Sequence, residues 1–143
     1  MDLDFDKLGG LIPAIIQDAR TKNVLMLGFM NREAYEKTIE LKKVTFFSRT
    51  RNRLWTKGEQ SGNFLNVISI EADCDRDTLL IKAIPEGPVC HTGSATCFND
   101  DNSYGIQFLT ELQDFIIKRH QEMPDGRYTT SLFQSGISRM AQK

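Results

Sequence analysis

The sequence predicts an α+β protein: a mostly β mixed domain followed by a short helical tail. Three observations carry that expectation. Five apolar runs of strand length fall within the first hundred residues. A single helix-like stretch interrupts them, and after about Asp101 the apolar spacing changes from strand-like to helical.

The expected strands are 11–16, 24–30, 44–48, 64–71 and 79–84. Between the second and third, Asn31 is the expected N-cap of a helix, because its side-chain oxygen accepts a backbone N–H that the helix leaves unpaired. Glu33 in the first turn and Lys42 and Lys43 at the last turn suit the helix dipole. Ala34, Tyr35, Ile39 and Leu41 fall roughly on one side. In the tail, Ile106, Leu109, Leu112, Phe115, Ile116 and Ile117 carry helical spacing, and Pro124-Asp125-Gly126 stops that helix. A second short helix is expected to start at Thr129 or Thr130 and run through Leu132, Phe133, Ile137 and Met140. Two short helices have little core of their own, so the tail is expected to dock on the first domain or on a partner chain.

The bulk composition bounds the function. A chain of 143 residues, 40% hydrophobic and 26% charged, is ordinary for a soluble globular protein. The net charge of −1 offers no field of one sign to hold nucleic acid, so a phosphorylated small molecule would have to meet a local basic pocket. The start, Met1-Asp2-Leu3-Asp4-Phe5-Asp6, has neither the basic nor the apolar part of a signal peptide. The apolar stretch 24–30 is broken by Gly28 and too short to span a bilayer. A cytoplasmic protein without membrane or nucleic-acid partners is therefore expected, with reduced thiols. Three cysteines also fit poorly with a disulfide framework.

Those cysteines lie in Asp73-Cys74-Asp75-Arg76-Asp77, Gly87-Pro88-Val89-Cys90-His91-Thr92-Gly93 and Thr96-Cys97-Phe98. Fifteen residues separate Cys74 from Cys90, and six separate Cys90 from Cys97. Thiolates suit Zn²⁺. Three protein ligands with no fourth favour an open, catalytic site, where zinc brings the pKa of a bound water near 7. His91, beside one ligand, would be a natural proton carrier. The same residues also read as unrelated buried thiols, or as a closed Cys₃His site, although adjacent Cys90 and His91 on one ion would strain the backbone.

On an extended chain Asp73, Asp75 and Asp77 would share one face, with Cys74 on the other. Such a row suits a hard cation such as Mg²⁺; a solvated acidic edge is the alternative. It is not an EF-hand, because Thr78 and Ile84 stand where that loop needs Gly and Glu. Ligands on opposite faces would serve one pocket only if the chain turned there or a second subunit contributed.

The segment from Ser48 to Asn63 holds Arg49, Arg51, Arg53, Lys57, the single Trp55, and Gly58 and Gly62 near hydroxyls. Cations, a flat ring and glycine N–H groups suit phosphate joined to an aromatic base. No P-loop pattern is present. A charged hairpin with a partly buried Trp explains the same composition.

Together these segments resemble phosphoribosyl-AMP cyclohydrolase of histidine biosynthesis. The likeness covers roughly residues 11–98. It rests on Phe47-Ser48-Arg49, the run Leu54-Trp55-Thr56-Lys57-Gly58-Glu59-Gln60-Ser61-Gly62-Asn63, and the three cysteine segments. The resemblance implies a compact, intertwined α+β homodimer that hydrolyses phosphoribosyl-AMP at the N1–C6 bond of its adenine ring. It implies Zn²⁺ on Cys74, Cys90 and Cys97, shared between subunits, and Mg²⁺ on Asp73, Asp75 and Asp77. His91 is the expected catalytic residue. Arg49, Trp55, Lys57, Glu59 and Ser61 are the expected substrate-binding residues, with Arg49, Lys57 and Ser61 on phosphate.

The expected boundary falls at residue 104. Within 105–143, the stretch 109–119, Pro124, Tyr128-Thr129-Thr130, Leu132 and Ser135-Gly136 resemble the opening of phosphoribosyl-ATP pyrophosphohydrolase. That family holds Mg²⁺ with clustered acidic residues, and no Asp or Glu follows Asp125 here, so its activity is not expected of this chain. A zinc base deaminase is the competing enzyme class, but its H-x-E…P-C-x-x-C signature is missing. A binding module with closed, structural zinc is the non-enzyme alternative.

Overall fold

The computed structural model describes residues 2–103, 105 and 107–136. The chain divides into two compact units, 1–103 and 104–143. The first is α+β. After a one-turn 3₁₀ helix at Asp6–Leu8 come β1 (Ile12–Asp18), β2 (Val24–Met30), α1 (Arg32–Leu41), β3 (Thr45–Ser48), β4 (Arg53–Thr56), β5 (Leu65–Ala72) and β6 (Leu79–Pro85).

Four strands form one mixed sheet in the order β2-β1-β6-β5, and β3 pairs with β4 in a separate hairpin. β1 runs antiparallel to β2 and parallel to β6. Alternation makes the core: Ile12, Ala14 and Ile16 of β1 and Leu79, Ile81 and Ala83 of β6 are fully buried. Leu25, Met30, Val44, Phe46 and Leu65 belong to the same cluster.

Asn31 caps α1 as expected, its Oδ1 accepting the Ala34 N–H at 2.8 Å. Two expectations for this helix fail. The helix ends at Leu41, and Lys42 is its left-handed C-cap (φ 55°), so neither lysine lies in the last turn. The buried face is Ala34 and Thr38, while Ile39 and Leu41 are exposed. Thr38 replaces them inside because its hydroxyl is satisfied there: it lies 2.8 Å from the Ala34 carbonyl and accepts the Thr45 N–H at 3.0 Å.

β4 is not among the expected strands. Its residues Arg-Leu-Trp-Thr offer little apolar alternation, and pairing with β3 creates the strand. Phe46 sits opposite Trp55, with ring centroids 5.7 Å apart. On its other side Phe46 packs on Gly28 of β2, where an added Cβ would fall 2.4 Å from the ring. The hairpin is thus seated on the sheet through Gly28, Phe46 and Trp55.

The second unit holds α2 (Gln107–Glu122) and α3 (Tyr128–Ser135). The break at Pro124-Asp125-Gly126 falls where expected, and the Thr130 hydroxyl donates to the Pro124 carbonyl at 2.8 Å. His120 meets Phe133 edge-on at 4.8 Å, joining the two helices. α3 starts one residue before the expected Thr129; Ile106, Ile137 and Met140 lie outside the described residues. No helix among the described residues is long and apolar enough to cross a membrane.

Candidate active site

Two loops meet beyond the ends of β4 and β6. Residues 57–63 turn back from the hairpin, closed by a Gly62 N–H to Gly58 carbonyl bond of 2.8 Å. Residues 86–97 follow β6 and are tied to the first loop by the Glu86 N–H, which donates to the Phe64 carbonyl at 3.0 Å. Between them opens a pocket of about 490 Å³. Trp55, Lys57, Ser61, Cys90, His91 and Cys97 all line it.

Backbone bonds fix the two cysteines. The Cys90 N–H donates to the Ser94 carbonyl at 3.0 Å, and the Cys97 N–H to the Leu25 carbonyl of β2 at 2.8 Å. Fully buried Thr96 accepts the N–H groups of Phe98 and Asp100, each at 3.1 Å, which curls the chain around Cys97. Hydrogen bonding from Thr92 holds the Cys90 thiol below its ordinary pKa. Burial pushes the Cys97 thiol up, and the neighbouring Cys90 adds to that. His91 places Nδ1 3.7 Å from Cys90 Sγ.

Lys57 is buried, and no carboxylate lies against it among the described residues. Burial lowers its pKa, opposed by the nearby Cys97 and Cys90 sulfurs.

The loop that carries Cys97 has a second anchor. Fully buried Asp18, at the end of β1, accepts Asn102 Nδ2 at 2.8 Å and the N–H groups of Arg20 and Thr21 at 2.8 and 3.3 Å. Burial alone would raise its pKa. The bonds from Asn102, Arg20 and Thr21 together outweigh burial and hold the carboxyl below the ordinary value.

Cys74 is elsewhere. It follows β5 and lines a separate depression with Asp2, Asp4, Arg32 and Asp75. The register explains this: Ala72 pairs with Leu79 at one end of the β5–β6 hairpin, and Leu65 with Pro85 at the other. Cys74 extends from the first end and Cys90 from the second, and seven residues of strand put about 20 Å between those ends. Zinc–sulfur bonds of about 2.3 Å demand sulfurs within about 4 Å of one another. One chain does not bring its three cysteines to one ion.

Asp73, Asp75 and Asp77 do converge, with one carboxylate oxygen of each within 4.8 Å of the others. The expected extended row is wrong, however. Residues 73–77 form the turn between β5 and β6, with Arg76 left-handed at φ 63°. Asp73 Oδ1 accepts the N–H groups of Asp77 and Thr78 at 3.1 Å each, and this curl gathers the carboxylates. The Lys7 ammonium bonds both Asp75 and Asp77. It lowers the pKa of Asp75, and the two carboxylates raise that of Lys7.

Arg49 and Glu59, two of the expected substrate contacts, are not among the residues that line the main pocket. Arg49 lies over the Phe29 ring, 4.0 Å from its centroid. Glu59 accepts the Thr56 N–H at 3.1 Å and faces Arg53 at 3.4 Å, closing its own turn. Conversely, Gln60, Asn63, Met26 and Val89, which are not among the expected site residues, line the pocket. Gln60 and Asn63 stand in the motif itself, but their direction depends on how the loop folds back.

The matching family model is that of phosphoribosyl-AMP cyclohydrolase, over residues 26–99. That span holds both pocket loops, all three cysteines and the aspartate turn. The chain belongs to the phosphoribosyl-AMP cyclohydrolase family. A histidine biosynthesis bifunctional protein HisIE of Bacteroides thetaiotaomicron is 70% identical over 143 residues, which is all of this chain and 70% of the relative. Proteins of the same name from Escherichia coli K12 and Xanthomonas campestris are 54% and 55% identical. They align with 99% of this chain, which covers 70% and 67% of their lengths.

Proposed function

We propose that this chain is a hydrolase of histidine biosynthesis that opens the adenine ring of phosphoribosyl-AMP at N1–C6. The observation that carries the reading is the convergence of Lys57, Trp55, Cys90, His91 and Cys97 on one pocket. Family membership and the name of the relatives give the substrate and the pathway.

The donor set fits a metal. Cys90 and Cys97 share the pocket, thiolate is a soft donor, and hydrogen bonding already favours the Cys90 thiolate. Cys74, at the far end of the β5–β6 hairpin, is left to complete the set in a second copy of the chain, so the enzyme is a homodimer with two shared zinc sites. The turn of Asp73, Asp75 and Asp77 offers the hard oxygens that Mg²⁺ takes. Zinc, when bound there, supplies hydroxide near neutral pH.

The chain's own residues do the rest. Trp55 holds the flat base against the wall backed by Phe46. Lys57 and Ser61 meet phosphate. Hydrolysis puts the water's oxygen on C6, which keeps its exocyclic nitrogen as a carboxamide, while N1 leaves with a proton. His91 carries that proton from the water to N1. Residues 105–143 correspond to part of a phosphoribosyl-ATP pyrophosphohydrolase-like domain, in keeping with relatives named bifunctional.

The test is ultraviolet detection of ring opening with phosphoribosyl-AMP, with and without a zinc chelator. Turnover that stops with the chelator and returns with zinc is expected. Absence of turnover in zinc-loaded, dimeric protein overturns the reading.

A further inference from the structure

A second cavity of about 320 Å³ lies against the main pocket. Ser48, Arg51, Arg53, Trp55 and Gln60 line it, and Trp55 and Gln60 line the main pocket too. The two cavities therefore share a wall made of the indole and the Gln60 side chain.

The strand explains the arrangement. Alternate residues of a strand face one way, so Arg53 and Trp55 of β4 share a face, and Lys57 follows one residue beyond the strand's end. Their cavity assignments agree: Arg53 lies on one side of the indole, Lys57 on the other, and Trp55 on both. Arg51, in the turn before β4, adds a second guanidinium to the Arg53 side. Four residues at strand spacing put about 13 Å between the Arg53 and Lys57 backbones.

The charges on the Arg53 side are incompletely used within the chain. Arg53 meets Glu59 through one nitrogen at 3.4 Å, and that carboxylate also serves the Thr56 N–H. Among the described residues the Arg51 guanidinium has no carboxylate partner. Two guanidiniums beside a hydroxyl, Ser48, make a forked donor set for a phosphate monoester.

Phosphoribosyl-AMP carries two phosphates on arms at N1 and N9, at opposite ends of the purine. The main pocket has one buried cation, Lys57. We infer that the Arg51–Arg53 cavity is the second phosphate subsite, taking the 5′-phosphate of the AMP half while the purine lies against Trp55. The inference rests on the cyclohydrolase reading for its substrate. The assignment of arms follows from the chemistry: C6 is next to N1, and the thiols and His91 are on the Lys57 side. The N1 arm therefore stays on that side, and the N9 arm crosses the indole to the arginines.

AMP bears the N9 phosphate without the N1 arm, and adenosine bears neither phosphate. Calorimetric titration of the zinc-loaded full chain with each separates the contributions. For Arg51→Ala/Arg53→Ala, AMP affinity falls roughly tenfold or more while adenosine binding is unchanged. The KM for phosphoribosyl-AMP rises with a smaller change in kcat. For Lys57→Ala, the ratio of AMP to adenosine affinity stays at the wild-type value. Unchanged AMP affinity in the arginine variant, an equal loss for adenosine, or a ratio that collapses in Lys57→Ala instead would each overturn the assignment. Wild-type protein that binds AMP through the arginines yet never opens phosphoribosyl-AMP would sink the cyclohydrolase reading and leave the phosphate subsite standing.

Discussion

Asn63 seats its side-chain amide against the α-carbon of Gly87, so closely that a Cβ at Gly87 would fall 2.5 Å from Asn63 Oδ1. This contact joins the loop that carries Lys57 and Ser61 to the loop that carries Cys90 and His91. It makes Gly87 a spacer between the halves of the pocket.

Gly87→Ala should therefore displace Asn63 and spread the pocket. The expected result is a stability loss of about 1–3 kcal/mol, with a larger effect on KM than a remote surface change would give. Asn63→Ala/Gly87→Ala removes the clash, so the double variant should be more stable than additivity allows. Denaturant melts of the four proteins in the cycle measure this; additive losses would show that the contact is not the cause.

Asp18 predicts a specific acid sensitivity. Its folded pKa is depressed, so its contribution is fully present above the unfolded value, about 3.9 for Asp. It is lost as pH falls below that value and through the folded one. Asp18→Asn should lose about 1–3 kcal/mol near neutral pH, and the gap to wild type should close as pH drops below about 4. Melts between pH 3 and pH 7 (a range set by the carboxylate values) check the convergence; a constant gap would contradict it.

The proposed sharing of a zinc site between two copies predicts complementation. Cys74→Ser and Cys90→Ser dimers should each be inactive and zinc-poor. Mixed and allowed to exchange, they form hybrids with one sound site and one doubly damaged site. Random pairing restores about a quarter of wild-type activity. Activity that stays at zero after verified exchange would mean that Cys74 does not act across the interface.

His91→Ala should keep its zinc, since Cys90 and Cys97 are fixed by backbone bonds independent of the imidazole. Turnover should fall by about 10²–10⁴. Metal analysis beside the ring-opening assay checks both; unchanged turnover with zinc bound would exclude the proton-carrying role.

The strands of the main sheet were legible because their alternation is strict, as in Ile12, Ala14 and Ile16. β4 was not, because Arg53–Thr56 becomes a strand through its partner rather than its own pattern. The residues that line the pocket and the aspartate turn stand out in the sequence by type and spacing. Their grouping does not: Asp73, Asp75 and Asp77 gather through a curl that an extended reading misses. The separation of Cys74 from Cys90 needed the β5–β6 register. The role of Asp18 is not legible, because a lone aspartate at a strand end gives no local sign of a partner 84 residues away.

The face shared by Arg53 and Trp55 depends on parity. One residue inserted between them would turn one of the two to the opposite face, leaving the cation on the wrong side of the sheet. Two inserted residues would restore the facing but lengthen the gap by about 7 Å, beyond the reach of a fixed ligand. The strand acts as a gauge whose graduations are counted in pairs.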